Sequence, residues 1–294
     1  MKPAVPARVR MIAAMTIFGT IGLFVRNIPL PSSVIACVRG FVGTAFLVLV
    51  MVLQKRKASK EEIRRNLALL VITGAVIGFN WILLFESYRY TTVATATLCY
   101  YLAPIFVIIV SPVLLKEKLS VKKVVCVVVA LLGMVCVSGV IESGTPAAGE
   151  AKGILLGLGA AVLYAFAMLG NRWIQNIDIY TKTAMQLFTA AAVALPYVLL
   201  TEDVSSLSLT AGQTALLLML GVVHTGFAYA LYFGALGSLP MQTAAILSYI
   251  DPVVAILLSA LLLREPMSVW GVLGAVLILG SALVSELPER KKKL

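Results

Sequence analysis

Long apolar runs and short polar connections alternate along the whole chain. Each run has about the 20 residues that a helix needs to cross the hydrocarbon core of a bilayer. The ten runs cover residues 9–25, 32–54, 66–86, 92–115, 121–141, 153–173, 181–200, 210–233, 240–263 and 268–285. The pattern predicts an all-α integral membrane protein with ten transmembrane helices and short loops, and it leaves no room for a soluble catalytic domain.

The second half of the chain repeats the first. Residues 95–121 align with residues 243–269 at a shift of 148, and 11 of the 27 positions are identical, whereas chance in so apolar a composition would give about three. Shifts of 146 to 148 also pair Phe18 with Tyr164, Arg39 with Gln186, Gly78 with Gly226, and Phe85 with Phe233. We infer two repeats, residues 1–146 and 147–294. Because five spans is an odd number, the second repeat is expected to cross the membrane inverted, as in alternating-access carriers.

Composition and charge agree with a membrane protein. The chain is 61% hydrophobic and 13% charged, with a mean hydropathy of +1.01, whereas a soluble domain has about 25% charged residues. In the ten-span assignment, 19 of the 24 Lys and Arg residues lie on the side of the N-terminus and 4 on the opposite side. The positive-inside rule then predicts that both termini are cytoplasmic. The net charge of +11 therefore reflects topology and lipid contact, and nucleic acid is not expected as a partner.

The sequence predicts no metal site, disulfide or cofactor. No C-x-x-C spacing is present, and the cysteines and the single histidine all lie inside apolar runs: Cys37, Cys99, Cys126, Cys136 and His224. The basic start of the chain resembles a signal peptide, but nine further apolar runs follow it, so we interpret the first run as an uncleaved span.

Several local patterns carry a resemblance to a known family. Span 2 contains Ala36-x-x-Arg39, span 4 ends in Leu-Lys116-Glu117-Lys-Leu-Ser120, its counterpart after span 9 is Leu-Arg264-Glu265-Pro-Met-Ser268, and Pro104 pairs with Pro252. With the paired five-span halves, the sequence resembles the drug/metabolite transporter superfamily, specifically the ten-span EamA-type carriers. The resemblance covers essentially the whole chain. It implies a carrier in the cell membrane, with export the expected direction, and it does not name the cargo.

Asp251 is the strongest candidate for a residue that binds a proton, a cation or the substrate. It lies at the middle of span 9, where an ionisable side chain costs about 2.5–3.5 kcal/mol to insert. The following Pro252 has no N–H and leaves the carbonyl of Ser248 without a helical donor. We expect a local acceptor site for a cation or a proton, with an interhelical ion pair or hydrogen bond as the alternative. Pro104 and Pro252 are expected to act as hinges.

Two further polar groups lie inside spans. Arg39 suits a substrate carboxylate bidentately, but it could equally cap backbone carbonyls or pair with a protein carboxylate. His224 could accept a proton in a coupled cycle or simply bond to a neighbouring helix. Candidates for a cavity wall are mostly aromatic: Tyr100, Tyr101, Phe79, Trp81, Tyr229 and Tyr249, with Asn80 beside Trp81.

These features favour a secondary transporter of a small polar metabolite rather than an enzyme. An amino acid or related zwitterion would use Arg39 and Asp251 as opposite anchors. A quaternary amine or cationic drug would need only Asp251 and the tyrosines. A membrane enzyme acting on lipid is a weaker reading, because no motif of paired carboxylates or of nucleophile and base surrounds Asp251 and His224. Proton coupling and a homodimer stay open.

Overall fold

A computed structural model describes residues 5–56, 59–91, 93–116, 120–137, 140–143, 151–262 and 268–287. These residues form a helical bundle, and no strand occurs among them. Numbered along the chain, the helices are α1 (Ala7–Gly19), α2 (Ile21–Val25), α3 (Ser32–Leu53), α4 (Lys60–Ser87), α5 (Val93–Tyr100), α6 (Ala103–Leu115), α7 (Val121–Val137), α8 (Val140–Ser143), α9 (Ala151–Gly170), α10 (Ile179–Thr201), α11 (Ala211–Met219), α12 (Ala228–Leu236), α13 (Met241–Leu247), α14 (Ile250–Leu262) and α15 (Val269–Glu286).

Within the described residues, six helical stretches are long and apolar enough to cross a membrane. They are Ala7–Val25, Ser32–Leu53, Lys60–Ser87, Ala151–Gly170, Ile179–Thr201 and Ala211–Leu236. The other four predicted runs contain shorter or interrupted helices. Glu117 and Glu265, which belong to the two matching patterns that follow spans 4 and 9, lie outside the described residues.

Helix breaks occur where the backbone loses a hydrogen bond. Tyr101 and Leu102 separate α5 from α6, and Ser248 and Tyr249 separate α13 from α14. Each break lies within one turn before a proline, Pro104 or Pro252, whose missing N–H accounts for the interruption. The sequence did not reveal the break at Thr20 between α1 and α2, where the Thr20 hydroxyl donates to the carbonyl of Ile17.

A wide helical turn occupies the middle of the stretch that joins α11 to α12. Residues Leu220–Phe227 form a π-helix, in which the hydroxyl of Thr225 donates to the carbonyl of Leu220 at 3.0 Å. Gly226 lies so close to α3 that an added Cβ would meet the ring of Phe46 at 2.6 Å. A glycine is therefore needed for this helix contact, and π-turns of this kind are frequent at functional sites.

A polar network ties α3, α4 and α10 together at one end of the bundle. Arg89 donates to Glu202 at 2.9 Å, and the hydroxyl of Ser33 donates to the same carboxylate at 2.7 Å. Glu86 accepts from the hydroxyl of Tyr197 and lies 3.7 Å from Arg89. Glu202 is therefore the closer partner of Arg89, although the spacing in sequence suggests Glu86. Because Arg89 is 44% exposed, the network orients helix ends more than it stabilises the fold.

Candidate functional site

A single large cavity brings most of the candidate residues together. Its volume is about 440 Å³, within the range of small-molecule sites. Seven of the twelve candidates line it: Asp251, Arg39, Trp81, Tyr100, Tyr101, Tyr229 and Pro104. The wall comes from both halves of the chain, because α1 to α6 face α9, α12 and α14 across it.

The cavity runs from the middle of the bundle towards one end. Its lining includes the buried residues Met15 and Ser248 and also Ser32 and Tyr88. Ser32 begins α3 and is exposed, whereas Tyr88 directly follows α4. The cavity therefore extends to the bundle end at which α3 begins and α4 ends, the same end that carries the polar network.

Asp251 faces the cavity and forms no ion pair with any of the described residues. Within the described residues its one hydrogen-bond partner is the hydroxyl of Tyr101, 3.3 Å from Oδ2. The α1 helix passes directly behind it, since an added Cβ at Gly19 would lie 2.6 Å from the Asp251 carbonyl oxygen. A carboxylate with a single neutral donor has unused acceptor capacity, which suits a cation or a proton.

Arg39 lines the same cavity and also lacks a counter-charge in the part of the chain that the structure describes. Its guanidinium carbon lies 5.5 Å from the ring centroid of Trp81, a cation–π arrangement. Its buried Nε has no hydrogen-bond partner among the residues that the structure describes. Neither a carbonyl cap nor an ion pair is therefore seen for Arg39 among the described contacts, and the group is available to an anion.

Aromatic rings form a continuous wall between these two charges. Tyr100 stacks on Tyr164 with centroids 5.3 Å apart, and the Tyr164 hydroxyl donates to Tyr232 at 2.7 Å. Phe18 meets Tyr229 edge-on at 5.1 Å. Sequence reasoning did not select Phe18, Tyr88, Tyr164 or Tyr232 for the site. The repeat offered a signal for two of them, because Phe18 and Tyr164 are counterparts and both line the cavity.

Two candidates on α4 point away from the cavity. Phe79 is 54% exposed on the outer surface of the bundle, and Asn80 is buried and donates to the carbonyl of Ala160 at 2.6 Å. Successive residues of an α-helix are rotated by about 100°. With Trp81 facing the cavity, Phe79 must therefore face roughly the opposite direction, and Asn80 holds α4 against α9.

His224, Tyr249 and Pro252 lie behind the cavity wall. Nε2 of His224 is 2.7 Å from the hydroxyl of Thr20, and its ring packs edge-on against Phe24. Tyr249 is fully buried and donates from its hydroxyl to the carbonyl of Tyr101 at 3.0 Å. His224 thus forms a hydrogen bond to a neighbouring helical segment, which is one of the two alternatives that the sequence left open. None of these three residues lines the cavity.

The two prolines occupy matching places. Pro104 is the second residue of α6 and Pro252 the third residue of α14, each just after a helix break. We predict that Pro104→Ala and Pro252→Ala restore a helical hydrogen bond, slow transport more than they weaken binding, and bias the protein towards opposite faces of the membrane. A bias of about 1 kcal/mol changes the population ratio about fivefold. Thiol labelling from the two sides, in a background without the native cysteines, measures it.

Pro112 supplies the matched control for the proline variants. It also lies inside α6, but its repeat counterpart is Ala260. Pro112→Ala should leave the balance between the two faces unchanged. If the Pro104 and Pro252 variants shift labelling in the same direction, or do not shift it while transport is normal, the paired prolines are packing features.

Comparison with known proteins identifies the fold and the class. The profile of the EamA-like transporter family matches the chain twice, over residues 8–139 and 151–286. The chain belongs to the EamA-like transporter family. It is therefore a multi-pass membrane transporter of the drug/metabolite type, a class that binds small-molecule substrates.

Individual relatives agree with this assignment. An uncharacterized transporter of Bacillus subtilis (strain 168), YxxF, is 30% identical over 272 residues, which cover 92% of this chain and 86% of that protein. Protein PecM of Dickeya dadantii (strain 3937) is 27% identical over 231 residues, 76% of each chain. One solved crystal structure superposes with a TM-score of 0.85 at 19% identity, covering 95% of this EamA-like transporter and 97% of the other chain; at this identity it supports the fold alone.

Proposed function

We propose that this EamA-like transporter exports a small zwitterion of the amino-acid class across the cell membrane by alternating access, coupled to protons at Asp251. One observation carries the proposal: Arg39 and Asp251, both without a counter-charge among the described contacts, line one cavity of about 440 Å³. A zwitterion presents a carboxylate and an ammonium group, which these two side chains complement. The direction of transport follows the resemblance stated above.

The aromatic wall accounts for selectivity by shape. Tyr100, Tyr164 and Tyr229 present apolar faces with polar hydroxyls, so they can hold a side chain without demanding one particular group. Their rings also favour a cation close to their faces. That property supports the second candidate, a quaternary amine or cationic drug held by Asp251 and the tyrosines alone, with Arg39 unused.

A binding screen tests the proposal directly. Ligands that bind the folded state raise the melting temperature by mass action, by an amount that corresponds to about 2.7 kcal/mol at 100 times Kd. Purified protein should be stabilised by amino acids more than by the amines that lack the carboxylate. Stabilisation by tetramethylammonium and related amines, with no response to amino acids, would favour the second candidate instead.

We further propose ten spans in two inverted repeats, divided near residue 146. The two family matches fall on either side of this boundary. Packing between spans supports the pairing. An added Cβ at Gly43 would lie 3.0 Å from the backbone nitrogen of Gly226, and one at Gly78 would lie 2.7 Å from the carbonyl oxygen of Ala190. Gly78 is the repeat counterpart of Gly226, and Gly43 is the counterpart of Ala190. The contact between spans 2 and 8 therefore corresponds to the contact between spans 7 and 3.

Both termini are proposed to be cytoplasmic, which would make the cavity open to the external side. The bias of 19 basic residues to 4 motivates this orientation. A C-terminal alkaline phosphatase, which is active only outside the cytoplasm, should stay silent, and a C-terminal green fluorescent protein should be bright. Phosphatase activity from the C-terminal fusion would overturn the orientation.

A further inference from the structure

A buried lysine in the second half of the chain has no place in the site described so far. Lys182 lies in the first turns of α10 and is only 3% exposed, although the positive-inside count assigns it to the basic residues on the cytoplasmic side. Its Nζ donates to the carbonyl of Asn171 at 3.1 Å, and no carboxylate pairs with it within the described residues. Four residues later, Gln186 is fully buried, and its Oε1 has no hydrogen-bond partner in the described part of the chain.

The location of Lys182 is unfavourable for a purely structural side chain. A buried ammonium group is costly without a counter-charge, and the positive end of the helix dipole lies at the start of α10. The N-cap residue Asp178 is already engaged, because its carboxylate accepts from the backbone N–H groups of Tyr180 and Thr181 and from Arg56. The burial of this charged side chain is therefore not explained by packing alone.

The repeat supplies an explanation. At a shift of 147, Ile35 corresponds to Lys182 and Arg39 to Gln186, and at a shift of 146, Val25 corresponds to Asn171. All three first-repeat residues line the observed cavity. Their counterparts lie together in the opposite half of the bundle, where Gln186 also donates to Asn171 Oδ1 at 3.3 Å.

The counterparts of the cavity wall are closed in this structure. Several side chains that correspond to lining residues are buried and do not line the observed cavity: Asn171, Lys182, Thr183, Gln186 and Phe233. If the second repeat takes the conformation that the first now has, the same helices must separate there and open a cavity to the other face of the membrane.

We propose that Lys182 is the anchor for a carboxylate of the cargo in this second, cytoplasm-facing cavity. The inference rests on the proposed alternating-access function and adds a binding residue to it. The side chain is buried while the outer cavity is open, and it becomes available when the inner cavity opens. Its charge then attracts an anionic group as Arg39 does on the outer side.

The charge lies at a different depth in the two cavities. Ile35 is nearer to the outer opening than Arg39 by one helical turn, or about 6 Å, and Lys182 precedes Gln186 by the same interval towards the cytoplasm. The positive charge in the inner cavity is therefore closer to its opening. This geometry makes Lys182 a capture site for cargo arriving from the cytoplasm, from which the carboxylate passes on to Arg39.

Charge-selective labelling tests the anchor without knowledge of the cargo. In a background without the native cysteines, Gln186→Cys is reacted in inside-out vesicles with an anionic reagent, sulfonatoethyl methanethiosulfonate, and with the cationic trimethylammonioethyl analogue. We expect reaction from the cytoplasmic face only. We also expect that Lys182→Gln lowers the ratio of anionic to cationic reaction rates about tenfold or more, whereas Lys182→Arg keeps the ratio within about threefold.

Ile35→Cys is the matched control, because it occupies the counterpart position in the outer cavity. It should react from the external face only, with a rate ratio that Lys182→Gln does not change. Lack of reaction at Gln186→Cys from the cytoplasmic face while transport is normal, or reaction from the external face, would overturn the proposed inner cavity. A rate ratio unaffected by Lys182→Gln would overturn the anchor.

A transport measurement separates the anchor from a simple helix cap. Lys182→Gln retains an N–H donor for the carbonyl of Asn171 but loses the charge. Uptake of a radiolabelled mixture of the common L-amino acids into inside-out vesicles should need an about tenfold higher concentration for half-saturation in this variant. Thermal stabilisation of the purified protein by the same mixture should be unchanged. If the Lys182→Gln variant has the half-saturation concentration of the wild type, Lys182 is only a helix cap. If the wild type transports no amino acid, the proposed function is contradicted, and the labelling experiment alone decides whether Lys182 is an anchor.

Discussion

Replacing Asp251 with asparagine is expected to abolish the dependence of transport on a pH gradient. The carboxylate faces the cavity, and the hydroxyl of Tyr101 is its one hydrogen-bond partner in the described part of the protein. An unpaired carboxylate at this depth needs a proton or a cation to offset its desolvation. Asparagine has the same shape and can still accept from Tyr101, so the fold should be retained while the titrating group is lost.

The measurement is accumulation of a radiolabelled amino acid in proteoliposomes with and without an imposed pH gradient. We expect the gradient to increase transport about tenfold or more in the wild type, since one pH unit across the membrane supplies about 1.4 kcal/mol per proton, and to have no effect in Asp251→Asn. Tyr249→Phe is the control. The hydroxyl of Tyr249 donates to the backbone carbonyl of Tyr101, in the break between α5 and α6, and Tyr249 does not line the cavity. An Asp251→Asn variant that still responds fully to the gradient would refute the coupling role.

Replacing Arg39 with glutamine is expected to weaken binding of carboxylate-bearing cargo by about 30- to 150-fold, which corresponds to about 2–3 kcal/mol for a charge-assisted hydrogen bond. Glutamine is also the residue at the counterpart position, Gln186, so a span of this kind accommodates it. Arg39→Lys should show a smaller loss, because the charge is retained and the bidentate fork is not.

The readout for Arg39 is the melting temperature of purified variants titrated with paired ligands. Each pair consists of an amino acid and the amine that lacks its carboxylate. The loss of affinity in Arg39→Gln should be confined to the amino acid, and the affinity for the amine should change by less than about threefold. An equal loss for both members of a pair would show that Arg39 supports the cavity wall through Trp81 and does not bind the carboxylate.

The sequence and the structure agree most closely where the backbone itself constrains the fold. A proline cannot donate a hydrogen bond, so the positions of Pro104 and Pro252 predict weak points in two helices, and both helices are broken there. The break at Thr20 and the π-turn around His224 have no such marker. They arise where α1 and the helix after α11 pack closely against their neighbours, through residues such as Gly19 and Gly226.

The site was harder to predict than the fold because spans in a membrane are apolar on every side. In a soluble helix the polar stripe shows which face is buried, but here lipid and protein interior demand the same residue types. Phe79 and Trp81 are therefore indistinguishable by composition, and only the rotation of α4 separates the exposed ring from the one beside Arg39. The same ambiguity hid Tyr164 and Tyr232.

Lys182 shows the limit of counting charges along a chain. Near the end of an apolar run, a lysine fits a cytoplasmic loop, and the positive-inside rule treats it as such. In the structure α10 begins earlier, at Ile179, because Asp178 caps it, and the lysine is drawn into the bundle beside Asn171 and Gln186. Helix caps and neighbouring helices, which a hydropathy pattern does not include, decide the outcome.

The sequence by itself determined the class of protein, the two repeats and the charged residues that need a function, because hydrophobicity, internal similarity and the cost of charge in a membrane are properties of the chain alone. Only the tertiary structure decided that Arg39 and Asp251 share a cavity while His224 and Phe79 do not. These relations depend on how helices distant in sequence rotate and pack against each other, and no local pattern along an apolar span specifies that rotation.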